Sequence, residues 1–219
     1  MIRIKICGFT RRQDLKEALA LGIDFVGFNF WPSSPRYLSP GQAKTLITGL
    51  RLTARTVGVF VDADLSLIKD AAVNLRLDGI QLHGKEGPET VAKLKEMFPQ
   101  TMIIKAIRVG QPHDLENIYR YPADFFLLDS FSPVMAGGTG RMLDLEFLRK
   151  TVLAWDWERI FLAGGIKPGN VFRLLSEFKP YAIDVASGVE TSPGVKSKRL
   201  MARLIDEVRR VESNESKDG

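Results

Sequence analysis

The chain has 219 residues, of which 45% are hydrophobic, and this length and apolar content suit one domain with a single large core. Its only cysteine excludes an internal disulfide bond and favours a reducing compartment, so we expect a cytoplasmic protein. The net charge of +5 is modest and basic residues are interspersed with acidic ones, which argues against nucleic-acid binding. We expect neither export nor a membrane span, because the chain begins without a basic leader and lacks any run of about 18 apolar residues.

Eight short segments, rich in apolar and β-branched residues, have the length and composition of buried strands. They cover residues 2–7, 25–30, 56–61, 79–83, 102–107, 125–130, 159–164 and 182–187. Each is followed by a segment with helical spacing: Gly22 stands where the first helix should end, and Ser39 with Pro40 where the second should begin. Residues 213–219 are small, polar and charged, and we expect a flexible C-terminal tail there.

The alternation of eight strands and eight helices predicts an α/β domain with a parallel sheet over residues 1–212. Eight strands are the number that closes a (β/α)8 TIM barrel, and the chain is short enough that such a barrel would have few insertions. The alternative is an open, flavodoxin-like sheet, which would leave three strands over. The sequence therefore predicts a single-domain (β/α)8 TIM barrel with a parallel, eight-stranded sheet.

The active site of such a barrel forms at the carboxyl ends of its strands. The residues at these predicted strand ends are Cys7, Asn29, Asp62, Gln81, His83, Arg108, Asp129, Gly164, Gly165, Asp184 and Ser187. After strands seven and eight the chain turns through "AGGIKPGN" and "ASGVETSPG", where Gly164, Gly165 and Gly188 would allow backbone N–H groups to bind a phosphate. The alternative is that these glycines only permit tight turns.

The loop after the sixth strand, "SFSPVMAGGTGRM", is long and glycine-rich, which is typical of a flexible lid or of a segment that approaches a phosphate. It contains Gly137, Gly138 and Gly140 but lacks the Lys-Ser or Lys-Thr of a nucleotide P-loop, and no G-x-G-x-x-G follows the first strand. His83 and His113 are far apart and there is no second cysteine, so a zinc site is not expected.

Cys7 and Asp129, at the ends of strands one and six, would place a thiol and a carboxylate at the barrel mouth. A thiolate supported by a positive charge such as Lys5 can accept a proton from carbon, and a carboxylic acid with a raised pKa can donate one. An acid and a base of this kind suit an isomerisation. Two alternatives remain open from position alone: Cys7 as a small buried side chain, and Asp129 as a helix or turn cap.

Nine segments follow one another along nearly the whole chain: "KICGFT", "GFNFWPSSPRYLSP", "VGVFVD", "GIQLHGKE", "IKAIRV", "FLLDS", "GGTGR", "LAGGIKPGNV" and "DVASGVETSPGVK". In these motifs and their order, the chain resembles the phosphoribosylanthranilate isomerases of tryptophan biosynthesis. The resemblance implies an Amadori rearrangement that converts N-(5-phosphoribosyl)anthranilate into the corresponding 1-deoxyribulose phosphate. It implies a small phosphorylated substrate and no cofactor.

By this resemblance, Asp129 would be the general acid that protonates the ribose ring oxygen, and Cys7 would be the general base that removes the proton from C2′. Arg36, in "SPRY", would bind the anthranilate carboxylate, a role that suits its planar and permanently charged guanidinium group. Asp184 matches a carboxylate near the sugar hydroxyls, although a structural role inside the barrel is the alternative. The glycine turns match phosphate-binding and lid segments through Gly138, Gly164, Gly165, Ser187 and Gly188.

Some residues in the matching motifs have no role that the resemblance supplies, and others depart from the family's usual sequence. Gln81 and His83 lie in a family motif without an assigned role, and we expect polar packing at the barrel mouth. After "GGTG" the family usually has a lysine and an aromatic run, whereas this chain has Arg141 followed by "MLDLEF".

Two alternative functions are compatible with the sequence: a phosphometabolite-binding barrel without catalysis, and an isomerase that also accepts the related histidine-pathway aminoaldose. A monomer and a homodimer are both compatible with the sequence.

Overall fold

The eight predicted strands form one closed barrel. The computed structural model describes residues 1–109, 115–116, 118–130 and 156–218. The strands are β1 Arg3–Cys7, β2 Phe25–Asn29, β3 Arg55–Phe60, β4 Gly79–Leu82, β5 Met102–Val109, β6 Phe125–Ser130, β7 Ile160–Ala163 and β8 Ala182–Val185. Each strand pairs in parallel with the next one, and β8 pairs with β1. The (β/α)8 TIM-barrel prediction is confirmed, and the alternative of an open sheet is wrong.

Helices follow the strands along the chain. Those described are α1 Arg12–Ala20, α2 Pro40–Ile47, α3 Leu65–Leu75, α4 Pro88–Met97, α5 Val171–Glu177 and α6 Lys198–Asp218. The sequence signals for helix ends are confirmed: the Ser39 side chain accepts from the Gln42 backbone N–H at the start of α2, and Gly22 has a φ of 76° after α1. None of these described helices has the length and apolar content needed to cross a membrane.

The segment after β5 differs from the prediction. The sequence predicts a helix over residues 112–121, but where this segment is described it is not α-helical: Leu115 lies in a 3-10 turn, and Ile118–Arg120 form a short 3-10 helix. Its buried side chains, Leu115 and Ile118, are three residues apart, which suits a 3-10 turn. Pro122 disfavours the helical conformation of the residue before it and ends the turn.

The C-terminal helix is longer than predicted. Helix α6 continues to Asp218, whereas the sequence predicts a flexible tail over residues 213–219. Met201, Leu204 and Val208 are buried on the side of this helix that faces the barrel, and this packing holds the helix in place. Because the helix is already formed, each further residue extends it without a new nucleation cost. The helix predicted over residues 144–154 lies outside the described residues.

Inside the barrel, an aromatic cluster lies near the amino ends of the strands. Phe161 packs edge-on against Phe25 and Phe125, with ring centroids 5.4 Å and 5.6 Å apart. Alternate residues of a strand point to the same face, so the inward positions nearer the carboxyl ends include polar side chains. Among these are Lys5 on β1, Asn29 on β2, Gln81 on β4, Asp129 on β6 and Asp184 on β8. The aromatic cluster therefore fills the amino end of the barrel, and the polar groups lie towards the carboxyl ends of the strands.

A ribbon and a short helix follow β8. The chain first forms a 3-10 helix, Ser187–Val189, and then a two-stranded antiparallel ribbon of β9 Glu190–Ser192 and β10 Val195–Lys196. Hydrogen bonds connect this ribbon to the end of β1 and to the loop after β2. The ribbon thus forms part of the barrel mouth.

Candidate active site

The carboxyl ends of the strands surround a cavity of about 260 Å³. It is lined by Cys7, Asn29, Arg36, Val59, Gln81, His83, Asp129, Ala163, Gly164, Gly165, Ile166, Asp184, Val185, Ala186, Ser187 and Gly188. The structure therefore brings together the predicted thiol, carboxylates, arginine and glycine turns. Asp62 and Arg108, also predicted at strand ends, do not line this cavity. Gly138 and the rest of the predicted lid lie outside the described residues.

The Cys7 thiol is buried where β1 meets β2. A Cβ atom on Gly27 would lie 2.7 Å from Cys7 Sγ, so a glycine at this position leaves space for the thiol. Burial raises the pKa of the thiol above its usual value. The positive charges of Lys5 and Lys196 oppose that rise without cancelling it. Burial therefore favours the neutral thiol over the thiolate in the unliganded protein.

Lys5 places a positive charge beside this thiol. It is fully buried, and its Nζ donates hydrogen bonds to Asp184 Oδ2 at 2.8 Å and to Gln81 Oε1 at 2.7 Å. Burial alone would lower the pKa of Lys5, but the attraction of Asp184 and Cys7 outweighs it, so the pKa is raised. The positive charge predicted near Cys7 from the sequence is thus present in space.

A second cluster of charged side chains, formed by Arg36, Glu190 and Lys196, also lies beside Cys7. Arg36 donates from Nε and Nη2 to the two carboxylate oxygens of Glu190, at 2.8 Å and 2.5 Å. Lys196 donates to the same carboxylate at 2.7 Å and to the backbone carbonyl of Cys7. Burial alone would raise the pKa of Glu190, but the hydrogen bonds from Arg36 and Lys196 hold it below its usual value.

Sequence analysis missed Glu190 and Lys196. Both lie in the quoted motif "DVASGVETSPGVK", but Arg36 and Glu190 are 154 residues apart, and no spacing rule connects them. The remaining donors of Arg36, at Nη1 and the second hydrogen of Nη2, are not used by Glu190. Because Arg36 lines the cavity, Glu190 holds the guanidinium group by one edge and leaves the other edge for an anion.

Two glycines allow the close approaches that shape this cavity. Gly8 has a φ of 80°, and a Cβ atom there would lie 2.4 Å from Arg36 Cδ, so the arginine stem packs directly on the glycine. At Gly188, a Cβ atom would lie 1.9 Å from the backbone oxygen of Ile166. The turns after β7 and β8 therefore touch each other through backbone atoms.

Substitution of Glu190 by glutamine should destabilise the fold strongly. The change leaves buried Lys196 and partly exposed Arg36 without their counter-charge, and breaking a buried ion pair in this way costs about 3 to 5 kcal/mol. The matched control is Glu17→Gln in α1, whose carboxylate accepts an exposed hydrogen bond from the Gln13 side chain, and this change costs about 1 kcal/mol or less. Urea unfolding of the two variants measures the difference. Equal losses would show that the Arg36–Glu190–Lys196 cluster does not stabilise the protein.

Asp129 lies on β6 with about a third of its side chain exposed to the cavity. Its Oδ2 is 3.4 Å from Nε2 of His83, and the other ring nitrogen, Nδ1, lies 2.8 Å from Nε2 of Gln81. The sequence predicts only polar packing for Gln81 and His83. In the structure, both line the cavity wall, and His83 contacts the carboxylate that the sequence singled out as an acid.

Comparisons with known proteins agree with this geometry. A family model described as N-(5′-phosphoribosyl)anthranilate (PRA) isomerase matches residues 4–207. The N-(5′-phosphoribosyl)anthranilate isomerase of Geobacter sp. (strain M21) is 38% identical over 211 residues, covering 96% of this chain and 100% of that relative.

Two solved structures of such isomerases are similar over 96% of this chain and 100% of their own. Monomers of the dimeric enzyme from Thermotoga maritima match at 32% identity with a TM-score of 0.82. An isomerase in complex with reduced 1-(o-carboxyphenylamino)-1-deoxyribulose 5-phosphate matches at 32% identity with a TM-score of 0.81. The likeness thus extends over the whole barrel.

Proposed function

This chain belongs to the phosphoribosylanthranilate isomerase family, and we propose that Cys7 and Asp129 are the base and the acid of its reaction. The enzyme converts N-(5′-phosphoribosyl)anthranilate into 1-(2-carboxyphenylamino)-1-deoxyribulose 5-phosphate in tryptophan biosynthesis. One observation carries the assignment of the two groups: the only thiol of the chain and the carboxylate at the end of β6 line the same cavity, separated along the barrel by β7 and β8.

The reaction needs two proton transfers at different atoms of the substrate. Protonated Asp129 gives its proton to the ribose ring oxygen; the C1′–O bond then breaks, and the nitrogen lone pair forms an iminium ion. Cys7, as the thiolate, removes the proton from C2′, and the electrons of that C–H bond neutralise the iminium to give an enolamine. Tautomerisation of the enolamine gives the ketone. The buried ammonium group of Lys5 stabilises the thiolate while it forms.

Arg36 binds the anthranilate carboxylate. Glu190 occupies one edge of the guanidinium group, and the free donors of the other edge suit a planar carboxylate of the substrate. The pKa of Arg36 is raised by its hydrogen bonds to Glu190, which favours the charged guanidinium group. Electrostatic attraction to the negatively charged substrate follows from this charge.

Asp184 binds a ribose hydroxyl. Its Oδ2 accepts from Lys5, whereas its Oδ1 is buried at the cavity and has no hydrogen-bond partner among the residues that the structure describes. Leaving a buried acceptor unpaired costs about 1 to 3 kcal/mol, and a hydroxyl group of the substrate would remove that cost. The structural alternative, a buried partner for Lys5, accounts for only one of the two oxygens.

The turns after β7 and β8 bind the phosphate. Gly164, Gly165, Ser187 and Gly188 line the cavity with backbone and small side chains, which lets an anion approach backbone N–H groups closely. Gly164 and Gly165 have φ values of 94° and 65°, a conformation that only glycine adopts readily. Gly138, outside the described residues, stays a predicted contributor from the sixth loop.

Substitution of Gly188 by alanine should raise KM by about tenfold or more, because its Cβ atom would displace the backbone of Ile166 and open the contact between the two turns. A matched control is Gly41→Ala in α2, where the nearest atom lies 4.0 Å from the new Cβ. Steady-state kinetics and inhibition by inorganic phosphate measure the effect. An unchanged KM and phosphate inhibition in Gly188→Ala would contradict phosphate binding at these turns.

The overall function is tested with the unmodified protein. The purified chain should convert N-(5′-phosphoribosyl)anthranilate with loss of the anthranilate fluorescence, and mass spectrometry should identify the deoxyribulose product. The histidine-pathway aminoaldose is added in a parallel assay, and we expect no turnover of it. Absence of conversion of the anthranilate substrate would identify a binding barrel instead of an enzyme.

The cellular location and the oligomeric state are two further parts of the proposal. A lone cysteine favours a reducing compartment, and we propose a cytoplasmic location. The related enzyme from Thermotoga maritima is described as dimeric, and this chain is proposed to be a monomer or a homodimer. Analytical ultracentrifugation of the purified protein distinguishes the two states.

A further inference from the structure

Gln81 and His83 connect the buried Lys5 to Asp129 along the cavity wall. Lys5 Nζ is 2.7 Å from Gln81 Oε1, Gln81 Nε2 is 2.8 Å from His83 Nδ1, and His83 Nε2 is 3.4 Å from Asp129 Oδ2. Gln81 is almost completely buried, and a fifth of the His83 side chain is exposed. The proposed proton transfers do not use either residue, so the contacts need an explanation of their own.

Lys5 determines the donor and the acceptor of every hydrogen bond in this series of contacts. An ammonium group only donates hydrogen bonds, so Gln81 must turn its carbonyl oxygen towards Lys5 and its NH₂ group towards His83. Because that NH₂ group also only donates, Nδ1 of His83 must accept and carries no proton. The ring proton is then on Nε2, which faces Asp129. A flipped amide would place its NH₂ group against the Lys5 ammonium group.

We propose that Gln81 and His83 are positioning residues that select which oxygen of Asp129 delivers the proton, an inference that rests on the proposed role of Asp129 as the general acid. Nε2 of His83 lies 3.4 Å from Oδ2, so when its N–H group donates to this oxygen, the transferable proton resides on Oδ1. When the Oδ1–H bond breaks and the proton passes to the ribose ring oxygen, the carboxylate charge is stabilised by the same Nε2–H group. His83 keeps its own proton throughout.

The length of the last contact agrees with such a role. At 3.4 Å, the separation of Nε2 and Oδ2 is long for a hydrogen bond in the unliganded cavity. Hydrogen bonds to a carboxylate are shorter and stronger than those to a carboxylic acid, so this contact tightens as Asp129 becomes charged. Catalytic hydrogen bonds commonly tighten in this way only when the substrate is bound.

Nitrogen NMR of the histidine rings tests the tautomer directly. The chain has two histidines, His83 and His113, so ¹⁵N-histidine labelling gives two ring systems, and a His113→Gln variant assigns them. We expect His83 to show an unprotonated Nδ1 and a protonated Nε2. A protonated Nδ1 in the wild-type protein would overturn the proposal.

Substitution of Gln81 by glutamate provides the matched comparison. A carboxylate at this position still accepts from Lys5, but it offers only acceptors to His83, so the ring must carry a proton on Nδ1. The ¹⁵N signal of Nδ1 should therefore move to the position of a protonated nitrogen. If Nδ1 stays unprotonated in Gln81→Glu, Gln81 does not control the tautomer, and the proposal is wrong.

Kinetics separate a positioning role from a structural one. His83→Leu should lower kcat by about tenfold to a hundredfold and leave KM within about threefold, because the interaction matters most while Asp129 loses its proton. His83→Gln, whose amide N–H can take the place of Nε2–H, should recover part of that loss. A His83→Leu enzyme with wild-type kcat would overturn the inference if Asp129→Asn is inactive. An active Asp129→Asn enzyme would instead contradict the proposed function itself.

Discussion

Substitution of Asp129 by asparagine should lower kcat by about 10²- to 10⁴-fold, the contribution expected of a general acid. The amide has nearly the shape of the carboxyl group but no acidic proton, so opening of the ribose ring loses its proton donor. KM should change little, because the substrate contacts proposed for Arg36, Asp184 and the glycine turns are all retained. Steady-state measurements of the fluorescence loss give kcat and KM separately.

Stability distinguishes this loss from misfolding. About a third of the Asp129 side chain is exposed, so Asp129→Asn should unfold at nearly the same urea concentration as the wild-type protein. The matched control is Asp206→Asn on the exposed side of α6, which removes a carboxylate far from the cavity and should leave kcat unchanged. A kcat for Asp129→Asn within tenfold of the wild-type value would remove Asp129 from the mechanism.

The barrel could be predicted because each strand is a short apolar run. Strands of a parallel barrel are covered by helices on one side and packed on the other, so their sequences lack polar alternation and stand out from the amphipathic helices. The predicted segments 25–30 and 125–130 agree with β2 Phe25–Asn29 and β6 Phe125–Ser130 to within one residue. The helix predicted over residues 112–121 is wrong for the described part of that segment, because helical spacing over so few residues does not distinguish an α-helix from 3-10 turns.

The site could be predicted only where a side chain stands at the end of a strand. Alternation along β1 places Lys5 on the same face as Cys7, so this contact was within reach of sequence reasoning. The Arg36–Glu190 pair was not. It forms because β1 lies between β2 and β8, so the loops that follow those two strands meet over the end of β1. Only closure of the barrel brings two residues so distant in sequence together.

Substitution of Cys7 by serine should lower kcat by about 10²- to 10⁴-fold as well, because a serine hydroxyl ionises far less readily than a thiol and is a poor proton acceptor. The two side chains are nearly equal in size, and the Gly27 position leaves the same space for either. The fold should therefore be kept, and urea unfolding checks this. Near-normal turnover by Cys7→Ser would show that the thiol is a packing residue at the barrel mouth.

The pH dependence of alkylation and of turnover together test whether the thiolate is the base. Burial raises the pKa of Cys7 above its usual value, so the thiolate increases about tenfold for each pH unit below that pKa. As Cys7 is the only cysteine of the chain, the rate of alkylation by iodoacetamide follows this thiolate directly. We therefore expect this rate to rise between about pH 7 and 9 and to level off only above the ordinary thiol pKa of about 8.5. The wild-type kcat/KM depends on the acid as well as on the thiolate, so the comparison uses the residual kcat/KM of Asp129→Asn, which has no acid proton to lose and should follow the alkylation profile. A flat kcat/KM in Asp129→Asn across a range in which alkylation accelerates would assign the C2′ proton to another base.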